Sequence, residues 1–209
     1  MPSGELSKLI DHVDWDKISG QLPVIIQNYI TAEVLMFGVM TKEALQKTLD
    51  ENVVTFYSRT KQRLWTKGET SGDYLTAVDY ALDCDLDTLL ITVIPKGNTC
   101  HLGTKSCFSR ISADLPWVFF SHLEEMLDER KTADPETSYT ASLYAVGKKR
   151  IAQKVGEEGV EVALAAMAED KEEILNEAAD LIYHTTVLLH DQDLSWAEVL
   201  EVLKKRHQG

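Results

Sequence analysis

Apolar positions in the first half of the chain fall in short runs rich in β-branched and aromatic residues. Leu22-Pro-Val-Ile-Ile-Gln27, Val34-Leu-Met-Phe37, Val53-Val-Thr-Phe-Tyr57 and Thr88-Leu-Leu-Ile-Thr-Val-Ile94 each predict a strand. One helix interrupts them, with Thr41 placed to cap it, Glu43 in its first turn, and Ala44, Leu45 and Leu49 on its apolar side. Turn chemistry follows at Lys67-Gly68, Ser71-Gly72 and Pro95-Lys-Gly-Asn98. After Asp114-Leu-Pro116 the period becomes helical. Helices are expected over Trp117 to Glu129, Ser142 to about Glu169 and Lys171 to His190, with a polar stretch from Lys131 to Ser138. Ser195 opens a last short helix, and Glu198 completes a capping box. The pattern predicts two domains: a β-rich α+β domain over residues 1–113, then an all-α helical bundle over residues 114–209.

Composition agrees with a globular chain. The 209 residues are 44% hydrophobic and 26% charged, which excludes disorder, and a body of this size buries roughly 70% of its unfolded surface. Charge separates the halves: the first 115 residues hold 11 basic and 15 acidic side chains, the remainder 10 and 19, for a net −13. Such a field repels a nucleic-acid backbone, so an anionic substrate needs metal ions or local basic clusters. The longest apolar runs, such as Leu115 to Phe120, fall far short of the roughly 20 residues that span a bilayer. Met1 to Ile10 carries no apolar signal core. A cytoplasmic protein with neither nucleic-acid nor membrane partners is expected, whose cysteines are thiols or metal ligands rather than disulfides.

The three cysteines, Cys84, Cys100 and Cys107, form no C-x-x-C pair, which excludes a zinc ribbon. Cysteines of this kind are often small buried hydrophobes, but here their neighbours are polar. Cys84 sits inside Asp83-Cys84-Asp85-x-Asp87, and Cys100-His101-Leu-Gly-Thr-Lys-Ser-Cys107 encloses the others. If residues 83–87 are extended, Asp83, Asp85 and Asp87 share one face and Cys84 takes the other. The three carboxylates then either face solvent as a solvated turn or hold a hard cation such as Mg²⁺. Three thiolates suit Zn²⁺ and leave a fourth position for water.

A second string, Phe56-Tyr-Ser-Arg59-Thr-Lys-Gln-Arg63-Leu-Trp65-Thr-Lys67-Gly-Glu69-Thr-Ser71-Gly72, sets basic residues beside Trp65, a combination suited to a phosphate and a flat base. Together, Asp83-Cys84-Asp85-x-Asp87, Cys100-His101-x-Gly103-x-x-Ser106-Cys107-Phe108 and Ser58-Arg59-x-Lys61-x-x-Leu64-Trp65-x-Lys67-Gly68-Glu69-x-Ser71-Gly72 closely resemble the phosphoribosyl-AMP cyclohydrolase family of histidine biosynthesis. The resemblance extends over most of residues 15–108, with Leu102 in place of the more usual threonine. It implies an obligate homodimer with zinc on Cys84, Cys100 and Cys107, one of them donated across the interface, so one Zn²⁺ per N-terminal domain. It also implies Mg²⁺ on Asp83, Asp85 and Asp87. The family opens an adenine ring at N1–C6 with a zinc-activated water. His101 is the candidate for proton transfer, with a structural place beside the metal as its alternative. Arg59, Arg63, Trp65, Lys67, Glu69 and Ser71 are the expected substrate contacts.

The second half carries Lys154-Val-Gly-Glu157-Glu158-Gly159-Val-Glu161 and later Glu177-Ala-Ala-Asp180. On helices, Glu158 and Glu161 share a face, as do Glu177 and Asp180. Asp180 precedes a largely apolar helical stretch, where an unpaired charge is costly to bury. Acidic helix faces in a chain of this charge are ordinarily solvated, yet paired E-E-x-x-E and E-x-x-D motifs are the magnesium signature of all-α nucleotide pyrophosphohydrolases. With Ser138-Tyr139-Thr140 and Gly147-x-x-Arg150-Ile151-x-x-Lys154-Val155-Gly156-Glu157-Glu158, residues 117–207 resemble the phosphoribosyl-ATP pyrophosphohydrolase family. Gly159 replaces its usual alanine. The resemblance implies Mg²⁺ on Glu158, Glu161, Glu177 and Asp180, with Glu157 as base or outer ligand. Arg150 and Lys154, within a cluster that includes Lys148 and Lys149, are expected to reach phosphates.

The two resemblances together point to a bifunctional hydrolase acting on phosphoribosyl-ATP and then phosphoribosyl-AMP, an arrangement in which these two families are known to be fused. Two rivals are a house-cleaning nucleotide pyrophosphohydrolase joined to a zinc-dependent base hydrolase of other specificity, and a nucleotide-binding scaffold stapled by zinc.

Overall fold

Alternation is cleanest where the chain is most buried. In β1 (Leu22–Asn28) the side chains of Leu22, Val24 and Ile26 are wholly inaccessible, and in β6 (Leu89–Pro95) those of Leu89, Ile91 and Val93 repeat the pattern. The computed structural model describes residues 8–112 and 115–207, the side chain of Ser112 excepted. It divides the chain into two units, Met1–Phe119 and Phe120–Gly209. The boundary expected between residues 113 and 114 falls outside the described residues, as does most of the expectation for Met1 to Ile10.

The first unit opens with a helical turn, α1 (Leu9–His12), and builds a four-stranded sheet in the order β2-β1-β6-β5. β1 pairs antiparallel with β2 (Val34–Met40) and parallel with β6, while β5 (Leu75–Leu82) closes the other edge antiparallel to β6. The helix α2 (Lys42–Glu51) is capped as expected, the Thr41 hydroxyl accepting the Ala44 N–H. A separate hairpin, β3 (Thr55–Ser58) with β4 (Arg63–Thr66), stacks Phe56 on Trp65. β5 was not among the expected strands. A register shift between Ala77 and Asp79 breaks its two-residue period, so Leu75, Ala77 and Tyr80 face the core from positions that do not alternate in sequence. After β6 the chain makes a short turn, α3 (Ser109–Ser112).

The second unit is helical: α4 (Pro116–Glu129), which spans the division, then α5 (Tyr139–Val146), α6 (Lys148–Met167), α7 (Lys171–Asp191) and α8 (Trp196–His207). The single helix expected from Ser142 to Glu169 is two. Gly147 separates them with φ +93° and ψ 179°, a conformation essentially confined to glycine, so the chain turns a corner that helical periodicity hides. The α8 capping box forms, with the Ser195 N–H and hydroxyl both donating to Glu198. Leu127, Leu143, Ile151 and Val187 make the core of this unit. Among the described residues no helix is long and apolar enough to cross a membrane.

Candidate active sites

The aspartates converge, but by another route than the expected one. Residues 83–87 are not extended; they form the turn between β5 and β6, with Leu86 at φ +64°. Asp83 Oδ1 accepts the N–H groups of Asp87 at 3.0 Å and Thr88 at 3.1 Å, a side-chain clasp that bends the backbone into this loop. The result brings one carboxylate oxygen each from Asp83, Asp85 and Asp87 within 4.8 Å of one another. Oxygen donors at this spacing fit a hard divalent cation. Lys17 adds a feature the motif did not suggest, its ammonium lying 2.5 Å from Asp85 and 2.7 Å from Asp87. Those carboxylates hold the Lys17 pKa above its ordinary value.

Cys100 and Cys107 meet on the lining of a cleft of about 520 Å³. Their loop is tied to β2: the Cys107 N–H donates to the Leu35 carbonyl at 2.8 Å, and the buried Ser106 hydroxyl donates to Val34 O at 2.7 Å. The Leu102 N–H, the Thr104 side chain, Cys107 and the nearby Lys67 charge all lower the Cys100 pKa. Burial, then the Cys100 contact, raises that of Cys107. The two sulfurs are hydrogen bonded to each other, and a pair of thiols this close is a donor set that fits zinc. Cys84, exposed in the aspartate turn, does not join them in a three-ligand group within one chain among the described residues.

The same cleft collects Trp65, Lys67 and Ser71 from the second motif, and Cys100, His101 and Cys107 from the third. Gly68 makes the loop possible. At φ +90° a Cβ would lie 2.6 Å from the Asp73 and Tyr74 backbone. Lys67 is buried and its ammonium donates to the carbonyls of Asp73 (3.0 Å) and Asn98 (3.4 Å), so it braces the wall while lending it positive charge. Arg63 and Glu69 pair with each other at 2.5 Å and do not line the cleft. Arg59 borders a neighbouring hollow of about 230 Å³ with Phe37, Tyr57 and Trp65. Asp73, Asn98 and Thr99 also line the cleft. Sequence reading had no means to select them, since they carry no spacing of their own.

In the helical unit, Glu158 and Glu161 on α6 meet Glu177 on α7, again within 4.8 Å. Asp180 is different: its side chain is exposed rather than buried, and it stands outside this group among the described residues. The helix has a solvent-facing stripe at that point, so the expected burial cost does not arise. Its backbone carbonyl is paired with His184 Nδ1 at 2.9 Å. That histidine is buried, 3.5 Å from Glu158, and hydrogen bonded through Nε2 to the Tyr139 hydroxyl at 3.0 Å. Lys154 lies 2.5 Å from Glu158 and 3.3 Å from Glu157, and Arg150 lies 3.6 Å from Glu157, so these basic residues neutralise the acidic motif instead of standing free. Lys154 first, then the Glu161 contact and the His184 charge, lower the Glu158 pKa against the opposing effect of its burial. Desolvation, the Glu158 hydrogen bond and the Glu161 charge push Glu177 up to about 7. Neighbouring carboxylates driven apart in this way, with oxygens this close, fit a divalent cation.

The family model for phosphoribosyl-AMP cyclohydrolase matches residues 36–109, and that for phosphoribosyl-ATP pyrophosphohydrolase matches residues 120–207. The histidine biosynthesis bifunctional protein HisIE of Pasteurella multocida is 62% identical over 197 residues, 93% of this chain and 98% of that protein. Its counterpart in Haemophilus influenzae is 57% identical over 209 residues, covering 96% and 95%. That of Escherichia coli K12 is 60% identical over 196 residues, covering 94% and 96%. The chain belongs to the HisIE family of bifunctional histidine biosynthesis proteins, with a phosphoribosyl-AMP cyclohydrolase domain ahead of a phosphoribosyl-ATP pyrophosphohydrolase domain.

Proposed function

We propose that the helical unit hydrolyses phosphoribosyl-ATP to phosphoribosyl-AMP and pyrophosphate, and that the β-containing unit opens the adenine ring of the product at N1–C6. The observation that carries this reading is the single cleft in which an aromatic ring, a buried lysine, two paired thiols and an exposed histidine converge from two separate motifs.

In that cleft Trp65 offers a face for the adenine ring, and Ser71 with the positive field of Lys67 orients the phosphoribosyl part. Cys84, Cys100 and Cys107 would hold zinc, which when bound lowers the pKa of a coordinated water toward about 7. His101, next to a ligand and open to the cleft, moves the proton to ring nitrogen N1 as the N1–C6 bond breaks. Arg59, on the neighbouring hollow, would reach a phosphate, whereas Arg63 and Glu69 act on the loop by pairing with each other. Asp83, Asp85 and Asp87 would hold Mg²⁺.

In the helical unit Glu158, Glu161, Glu177 and Asp180 would hold Mg²⁺, which when bound offsets triphosphate charge and acidifies an attacking water. Glu157 would accept a proton from the water that attacks the α-phosphorus as the bond to the α,β-bridging oxygen breaks and pyrophosphate leaves. Arg150 and Lys154, now paired with Glu157 and Glu158, are within reach to exchange those partners for phosphate oxygens.

A homodimer belongs to this reading. Two thiols from one chain leave zinc a ligand short, which supports donation of Cys84 by a partner copy. In the helical unit the exposed apolar side chains of Val160, Leu164 and Met167 on α6 and Leu175 on α7 support a further contact between copies. Free thiols and small anionic substrates suit the cytoplasm.

The test is to incubate the zinc-loaded protein with phosphoribosyl-ATP and Mg²⁺, following pyrophosphate release and the ultraviolet change of ring opening together. Glu161→Gln is expected to abolish pyrophosphate release, and Cys100→Ser to abolish only ring opening. Turnover of ordinary nucleoside triphosphates without phosphoribosyl-ATP turnover would refute the assignment.

A further inference from the structure

Lys17 lies in the turns that precede β1, distant in sequence from the aspartates, yet it spans two of them. Its position is secured by backbone contacts. The Asp14 N–H donates to the Leu86 carbonyl at 3.0 Å, and Asp14 Oδ1 accepts the Lys17 N–H at 3.1 Å. Leu86 belongs to the loop that carries the carboxylates, so the N-terminal segment is docked on the aspartate turn itself. A lysine ammonium here supplies one positive charge to three carboxylates that would otherwise repel one another.

The Oδ2 atoms of Asp85 and Asp87 that Lys17 engages are on the side chains a divalent ion would need. A divalent ion among carboxylate oxygens that lie within 4.8 Å of one another competes with the ammonium for the same side chains and repels its charge. A monovalent ion offers these carboxylates no more charge than the tethered ammonium does. A divalent ion offers more, and so can displace it.

We propose that Lys17 is a tethered counter-cation of the aspartate turn, and that divalent-cation binding at Asp83, Asp85 and Asp87 is an exchange in which the Lys17 ammonium leaves Asp85 and Asp87. Lys17 is then a positioning residue. It holds Asp85 and Asp87 together before the ion arrives, lowers the site's affinity for divalent ions, and competes with monovalent ones. The inference rests on the assignment of a divalent cation to these aspartates made above.

The experiment measures Mn²⁺ binding by the electron paramagnetic resonance signal of the free ion. It uses the zinc-loaded full chain carrying Glu161→Gln, so that the helical carboxylates contribute little, with Asp85→Asn marking binding at the aspartate turn. Lys17→Met is expected to bind Mn²⁺ roughly two- to thirty-fold tighter at low ionic strength, the range that loss of two exposed ion pairs spans. Lys17→Arg keeps the charge and is expected to stay near the parent. The gap between Lys17→Met and the parent narrows in about 1 M salt as the pairs are screened. Equal or weaker binding by Lys17→Met overturns the exchange while leaving the aspartates as a cation site. If no protein shows Mn²⁺ binding that Asp85→Asn removes, the cation assignment fails and the exchange fails with it.

Discussion

Asp83 holds two backbone N–H groups with one carboxylate oxygen, and that same carboxylate faces Asp85 and Asp87. Its structural contribution and the cation binding proposed for it are separable by chemistry. Asparagine keeps the accepting oxygen and loses the charge, so Asp83→Asn is expected to leave thermal stability in chelator near that of the parent while weakening divalent binding. Asp83→Ala loses the clasp and is expected to lower stability by about 0.5–2 kcal/mol, by analogy with lost N-caps, in urea denaturation. At Glu177 the sign of a pH effect follows from its raised pKa. The folded metal-free chain keeps a proton that the unfolded chain has released, so this group's stabilising contribution, full below about pH 4.5, is lost as pH rises through about 7. Glu177→Gln is therefore expected to raise the melting temperature in chelator more at pH 8 than at pH 5. An equal gain at both pH values would show that Glu177 does not titrate in this window.

At the scale of elements, the corner at Gly147 sets where α6 begins and hence where Glu157, Glu158 and Glu161 stand. A Cβ there meets no atom within 4 Å, but φ +93° is strained for any L side chain. Gly147→Ala is expected to cost about 1–3 kcal/mol without overpacking anything. Differential scanning calorimetry reads the loss. In the other unit, the β5–β6 turn and the Cys100–Cys107 loop, the latter tied to β2, present the candidate metal-binding groups. Most of these elements were legible from the chain. β1 and β6 follow from their alternation, and β2, β3, α2, α4, α7 and the α8 capping box from β-branched and aromatic runs, helical period and end signals. β5 escaped because its register shift interrupts the alternation, and the α5–α6 corner escaped because both helices keep their apolar period up to the glycine.

Across the whole molecule, the chain separates into a sheet-bearing unit and a helical one, each with its own hydrophobic cluster. If zinc is held only by the first, chelating it is expected to lower the melting transition of that unit and leave the helical transition where it was. A single transition shifting as a whole would show instead that the units unfold together. If zinc is shared between copies, the same chelation also lowers the apparent mass in sedimentation equilibrium.

The chemistry of the candidate site was in the sequence because metal-binding and catalytic residue types are rare in combination: three cysteines, an aspartate triplet and two paired carboxylate motifs at fixed spacing. Local spacing also suffices to say that Glu158 and Glu161 share a helix face, since a helix converts sequence separation directly into direction. What only the tertiary structure decided is which charges meet. Lys17 reaches Asp85 and Asp87, Arg63 turns to Glu69, Lys154 is held between Glu157 and Glu158, and Asp180 is exposed and, among the described residues, outside the group formed by Glu158, Glu161 and Glu177. Long charged side chains take the nearest opposite charge available in space. For Lys17, packing brought that partner from a distant part of the chain.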